Sequence, residues 1–159
     1  AVTGNAAAEL VPFNLRQIPF VNPENVVIVG ARNIDKEEGR LLLKSGVTVF
    51  TISDIDMYGM RNIMEKAIKI AGSGTAGYHV SFDMDVLNPT EAPGVGTPVY
   101  GGLTYREAHL AAEMIAEDGR IVSLEMVEVN PILDNRNQTS EIAVTLVCSL
   151  LGKQIIHSD

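Results

Sequence analysis

Ser81-Phe82-Asp83-Met84-Asp85-Val86-Leu87-Asn88-Pro89 closes an apolar run that begins at Tyr78. A strand alternates its side chains with a period of two, so Asp83 and Asp85 are expected to leave the same side of the strand's end. At the usual rise their Cα atoms lie roughly 6–7 Å apart. Carboxylates converging from that spacing can span two metal ions held about 3.5–4 Å apart. A bare Asp-x-Asp is more simply a solvated loop or a helix cap. The residues around this one shift the balance.

Three further β-branched runs precede and follow it. Val26–Gly30, entered from the turn Asn22-Pro23, predicts a buried strand, and Val47–Ile52 and Ile121–Val127 predict two more. Helical spacing is found over Asp35–Ser45, stopped by Gly46, and from about Tyr58 to Ile70, where Met60, Ile63, Met64, Ala67 and Ile68 form one stripe. Thr104–Glu117 starts with a capping box of Thr104 and Glu107, and Gln138–Leu151 ends at Gly152. Four Val- and Ile-rich strands alternating with helices predict an α/β fold: a three-layer α/β/α arrangement with a mainly parallel sheet covered on both faces. In such sheets ligands bind beyond the carboxyl ends of the strands. Asp83, Asp85 and Glu128 all fall at that end.

The chain has 159 residues, a length suited to one domain with a sizeable core. With 46% hydrophobic and 20% charged residues it has the composition of an ordinary globular protein. The net charge of −8 and the absence of a basic cluster argue against nucleic acid as a partner. No apolar stretch approaches the length of a membrane span, and the first 20 residues lack a secretory pattern. The single cysteine, Cys148, excludes an internal disulfide and reads as a small core residue, with a reducing cytoplasm as the expected setting. Ala1–Phe20 shows no amphipathic period. An initial Ala fits either a chain that has lost its Met or a piece of a longer one.

Glu128 ends the fourth strand in Met126-Val127-Glu128-Val129-Asn130-Pro131. A carboxylate there can accept paired hydrogen bonds from a planar cation such as a guanidinium, or simply face solvent. Glu125, three residues earlier, is expected on the opposite face in a structural or supporting role. Between the acidic segments, Ala92–Gly102 (APGVGTPVYGG) carries four glycines and two prolines, which specify a shaped, stiff loop. No Gly-Lys-Ser/Thr follows, so it is not a phosphate loop. It is placed to form one wall of a substrate cleft, with Thr97 as its most useful polar side chain. Asp54 and Asp56 repeat the two-residue spacing but stand before a helix, and are assigned to capping. His79 shares a strand face with Asp83 at a distance of roughly 13 Å, too far for shared coordination. His109 falls in a helix and His157 in the polar tail, so neither is expected as a ligand.

Residues 81–89 resemble the Ser-x-Asp-x-Asp-x-x-Asp-Pro signature of the ureohydrolases, the binuclear manganese family of arginases and agmatinases. Gly96-Thr97-Pro98 with Gly101-Gly102-Leu103-Thr104-Tyr105-Arg106-Glu107, the Glu128-Val129-Asn130-Pro131 segment and Val29-Gly30-Ala31-Arg32-Asn33-Ile34-Asp35 are similar to arginase sequences in the same order. Asn88 departs from the signature's Asp, at a position that shapes the turn before Pro89. The resemblance runs from about residue 20 to residue 153. It implies that residues 1–159 are the C-terminal part of a single arginase-like domain, without the N-terminal part of the fold. It further implies Asp83 and Asp85 as ligands of two Mn2+ ions per complete site, Glu128 as catalytic and guanidinium-binding, and Thr97 as a cleft residue. The implied reaction is attack of a metal-bridging hydroxide on the guanidinium of L-arginine, giving ornithine and urea. The implied assembly is a homo-oligomer, trimer or hexamer, with Arg106 and Glu107 near subunit contacts or, for Glu107, in a local cap.

The family's other ligand motifs, Gly-Gly-Asp-His and Asp-Ala-His-x-Asp, do not occur in these residues. Two alternatives therefore stand beside arginine hydrolysis: a non-catalytic arginase-fold fragment or assembly module, and a ureohydrolase for agmatine or another guanidino compound.

Overall fold

β1 (Val27–Ala31) pairs in parallel with β2 (Thr48–Thr51), and β3 (Tyr78–Asp83) pairs in parallel with β4 (Ile121–Val127). In this computed structural model, which describes residues 21–154 and residue 156, those are two separate two-stranded sheets. The α/β class and the parallel sense agree with the sequence. The single hydrogen-bonded sheet resolves instead into two pairs. Residues 1–20 and His157 lie outside the described residues.

Helices intervene between successive strands. α1 (Lys36–Ser45) is capped by Asp35, whose carboxylate accepts from the Glu38 N–H at 2.8 Å, and ends on Gly46 in the left-handed conformation. The helix expected from about Tyr58 to Ile70 is α3 (Met60–Ala71), and a further helix, α2 (Ile52–Tyr58), precedes it across Gly59 with φ 79°. Asp54 therefore lies inside a helix. Its carboxylate accepts from the Thr51 N–H and hydroxyl, completing a capping box. Asp56 is exposed on the same helix. α4 (Tyr105–Asp118) begins with the Thr104–Glu107 capping box, and α5 (Gln138–Leu150) follows β4.

The core fills the space among α3, α4, α5 and the β3–β4 pair. Ile63, Met84, Leu87, Val95 and Leu146 are completely buried there. The β3–β4 register sets Val80 beside Leu124 and Phe82 beside Met126 on the face that joins this core. The alternate residues sit on the other face, where His79 meets Ser123 and Ser81 meets Glu125, all four exposed. Within the described residues this sheet is covered on one face, not both.

Cys148 is half-buried rather than a core residue. Leu41 and Leu43 of α1 are 70% and 90% exposed, so this helix presents apolar side chains to solvent. No helix among the described residues is long and apolar enough to cross a membrane.

Candidate metal and guanidinium site

The strand β3 ends at Asp83, and the chain turns at once into a single 3-10 turn, Met84–Val86. Asp85 thus sits on the turn, not on the strand. Strand alternation is not what brings the two aspartates together. Asp83 caps the turn: its Oδ1 accepts from the Asp85 N–H at 2.9 Å. Met84, between them, is completely buried and anchors the turn in the core.

The loop after the turn is pinned at both ends. The Asn88 N–H donates to the Leu103 carbonyl and the Leu103 N–H to the Val86 carbonyl, each at 2.9 Å. The Asn88 side chain accepts from the Gly101 N–H at 3.1 Å and donates to the Thr90 hydroxyl. Asn88 thus holds the turn through both ends of its amide, at the position where the chain departs from the signature. Further along, Thr97 Oγ donates to Asp85 Oδ2 at 2.9 Å.

Glu128 follows β4 directly and adopts φ 62°, in the left-handed region. Such a φ is uncommon for a residue with a Cβ and marks a locally imposed conformation. It turns the Glu128 side chain away from the alternation of β4 and toward the loop. A Cβ placed on Gly96 would sit 3.3 Å from Glu128 Oε2, so the carboxylate lies against the loop's glycine. The backbone on either side is fixed by the Asn130 N–H donating to the Gly94 carbonyl at 2.7 Å. Gly94 itself has no room for a side chain, because a Cβ there would come within 2.5 Å of Asp134.

Asp83, Asp85, Glu128 and Thr97 therefore lie near one another at the carboxyl ends of β3 and β4. Negative charge is concentrated there. Burial holds the Asp83 carboxyl above the usual carboxylate range, and the negative charges of Asp85 and Glu128 push the same way. The Asp85 N–H opposes them. No group of three or more His, Cys, Asp or Glu side chains suited to a metal occurs among the described residues.

The two described histidines, His79 and His109, have partners elsewhere. His79 Nδ1 contacts Ser123 Oγ at 2.8 Å, and its Nε2 lies 3.6 Å from Glu125 Oε1. Glu125 also accepts from Ser81 at 2.8 Å, which gives it a structural partner on the exposed sheet face. His109 meets Ser149 at 3.1 Å, and burial pushes its pKa down.

Two residues that shape the site had no role in the sequence reading. They are Arg32, in the Val29–Asp35 segment, and Asp134, before α5. Asp134 Oδ1 accepts from the Thr139 N–H at 3.0 Å and Oδ2 from the Ser140 N–H at 3.2 Å, so it caps α5 from outside the helix. Asn137, at the cap position, makes no such bond. An acidic residue shortly before a helix start is the signal that marks it.

A model of the arginase family matches residues 4–152. The arginase of Bacillus subtilis (strain 168) is 51% identical over 138 residues, which cover 87% of this chain and 46% of that protein. The native arginase structure from Bacillus caldovelox superposes with a TM-score of 0.84 at 48% identity, covering 87% of this chain and 46% of that one. A hypothetical agmatinase from Burkholderia thailandensis superposes with a TM-score of 0.72 at 29% identity, over 84% of this chain and 39% of that one. The chain spans about half the length of the curated relatives it matches.

Proposed function

The chain belongs to the arginase family, and from that premise we propose that it is the C-terminal part of a single arginase-like domain that hydrolyses the guanidinium group of L-arginine to ornithine and urea. The observation that carries this reading is the gathering of Asp83, Asp85 and Glu128, with Thr97, at the strand ends. Asp83 and Asp85 would hold manganese, two ions when the remaining ligands are supplied by the rest of the domain. Bound manganese supplies Lewis acidity and a hydrolytic nucleophile at neutral pH.

The chain's own residues supply the rest. Glu128 accepts paired N–H donors from the flat cation and so presents its central carbon toward the aspartates. The hydroxyl of Thr97 fixes the Asp85 carboxylate in one rotamer. The loop Ala92–Gly102 closes one side of the cleft and limits the water that reaches it. The complete protein is a homo-oligomer in this reading.

The test joins this chain to the upstream half of the domain, loads manganese and assays urea release from L-arginine. Urea release that is abolished in Asp83→Asn supports the proposal. No urea, or full activity in Asp83→Asn, refutes it. The similarity to an agmatinase structure favours a second reading in which the substrate is agmatine or another guanidino compound. Relative kcat/KM on arginine and agmatine separates the two.

A further inference from the structure

Arg32 leaves β1 and reaches across to the segments that build the site, although β1 and β3 share no ladder hydrogen bonds. Its Nε and Nη2 both donate to the Val99 carbonyl, at 3.2 and 2.9 Å. Nη2 also donates to the Asp85 carbonyl and, at 3.5 Å, to the Leu87 carbonyl. One guanidinium thus joins three main-chain oxygens: two on the turn that carries Asp85, and one two residues beyond Thr97. The Gly30 backbone lies close against the Val86 side chain of the same turn. Gly30 has φ 89°, and a Cβ there would come within 2.6 Å of Val86.

We infer that Arg32 is a positioning residue for the proposed metal site, holding the Asp85 turn and the Thr97 loop in register so that the Thr97 hydroxyl meets the Asp85 carboxylate. A planar fork of donors can hold carbonyls on two segments at once. A lysine ammonium carries the same charge but lacks that geometry. The inference rests on the metal reading above. Supporting contacts to metal ligands are commonly worth 10- to 100-fold in metal affinity.

The experiment places Arg32→Lys and Arg32→Met in the complete domain and makes three measurements. Manganese affinity is taken by calorimetry, amide hydrogen exchange over residues 96–103 is followed in the metal-free protein, and the metal-free thermal midpoint is recorded. The expected result is an affinity lowered about 10-fold or more in both variants, with faster exchange confined to the loop and an unchanged midpoint. Parent-like affinity and exchange in Arg32→Lys overturn the inference. A lowered midpoint with exchange faster throughout also overturns it, since Arg32 is then a general stabiliser. If the parent domain binds no manganese, the metal reading fails on its own. The exchange data then decide the Arg32 role: acceleration limited to the loop supports it, and none overturns it.

Discussion

Thr97 Oγ donates to Asp85 Oδ2 at 2.9 Å, across twelve residues of sequence and from a loop to a turn. This bond links the most polar side chain of the glycine-rich loop to a proposed metal ligand. Thr97→Val keeps the side-chain shape and deletes the donor, leaving Asp85 free to change rotamer. In the complete domain, manganese affinity should fall by about tenfold, and Thr97→Ser should restore it. Calorimetric titration of both variants checks this, and parent-like affinity in Thr97→Val contradicts it.

Glu128 is the proposed acceptor for the guanidinium, and its charge is what the pairing uses. Glu128→Gln preserves size and left-handed backbone but removes the charge. A hydrogen bond to a charged group contributes about 1.5–3 kcal/mol, so kcat/KM should fall by about 10- to 150-fold. Manganese affinity should change little. A variant that loses metal and keeps kcat/KM at saturating manganese would reverse the assignment.

Asp134 caps α5 and packs on Gly94, whose carbonyl holds the Asn130 N–H beside Glu128. Burial opposes its charge, but N–H donors from Thr139, Ser140 and Asn135 prevail and hold its pKa below the usual carboxylate value. A lowered folded-state pKa gives stability that is present above the unfolded value and lost as pH falls through the folded one. Asp134→Ala should cost about 1 kcal/mol at neutral pH. It should also flatten the loss of stability below the ordinary aspartate range. Thermal melts of parent and variant from neutral to acid pH read both effects; parallel curves would contradict the cap.

The 159-residue chain by itself offers two proposed metal carboxylates and much uncovered apolar surface. Val122 on β4 and Leu151 after α5 are 67% and 73% exposed. They flank a hollow lined by Ile121, Leu124 and Leu150, at the opposite end of β4 from Glu128. The isolated chain should retain no manganese through dialysis and should self-associate. Metal analysis and light scattering test this. A metal-loaded, well-behaved monomer would contradict it.

What the sequence made legible follows local rules. β4 has the predicted bounds, α4 has its Thr104–Glu107 box, and α1 stops at Gly46, because strand periodicity and capping are encoded within a few residues. α2 was missed because Thr51–Asp54 is a capping box with an acidic third residue, and the helix it starts is short. The separation into two sheets was not legible. Strand order depends on which edges meet, and that is a tertiary property. At the site, Asp83 and Asp85 were found by their motif, but the 3-10 turn that orients Asp85 was not. Periodicity does not register a one-turn departure from a strand. Glu128 was found at its strand end, whereas its positive φ and its place against Gly96, thirty-two residues earlier, belong to the tertiary structure and leave no local pattern.

The central claim is that Asp83 and Asp85 grip manganese beside Glu128. Anomalous difference maps collected at the manganese edge, from crystals of the complete domain grown with manganese, test it most directly. The prediction is density within bonding distance of both aspartate carboxylates, with the Glu128 carboxylate nearby and not coordinated. Density elsewhere, or none at these carboxylates, would contradict it.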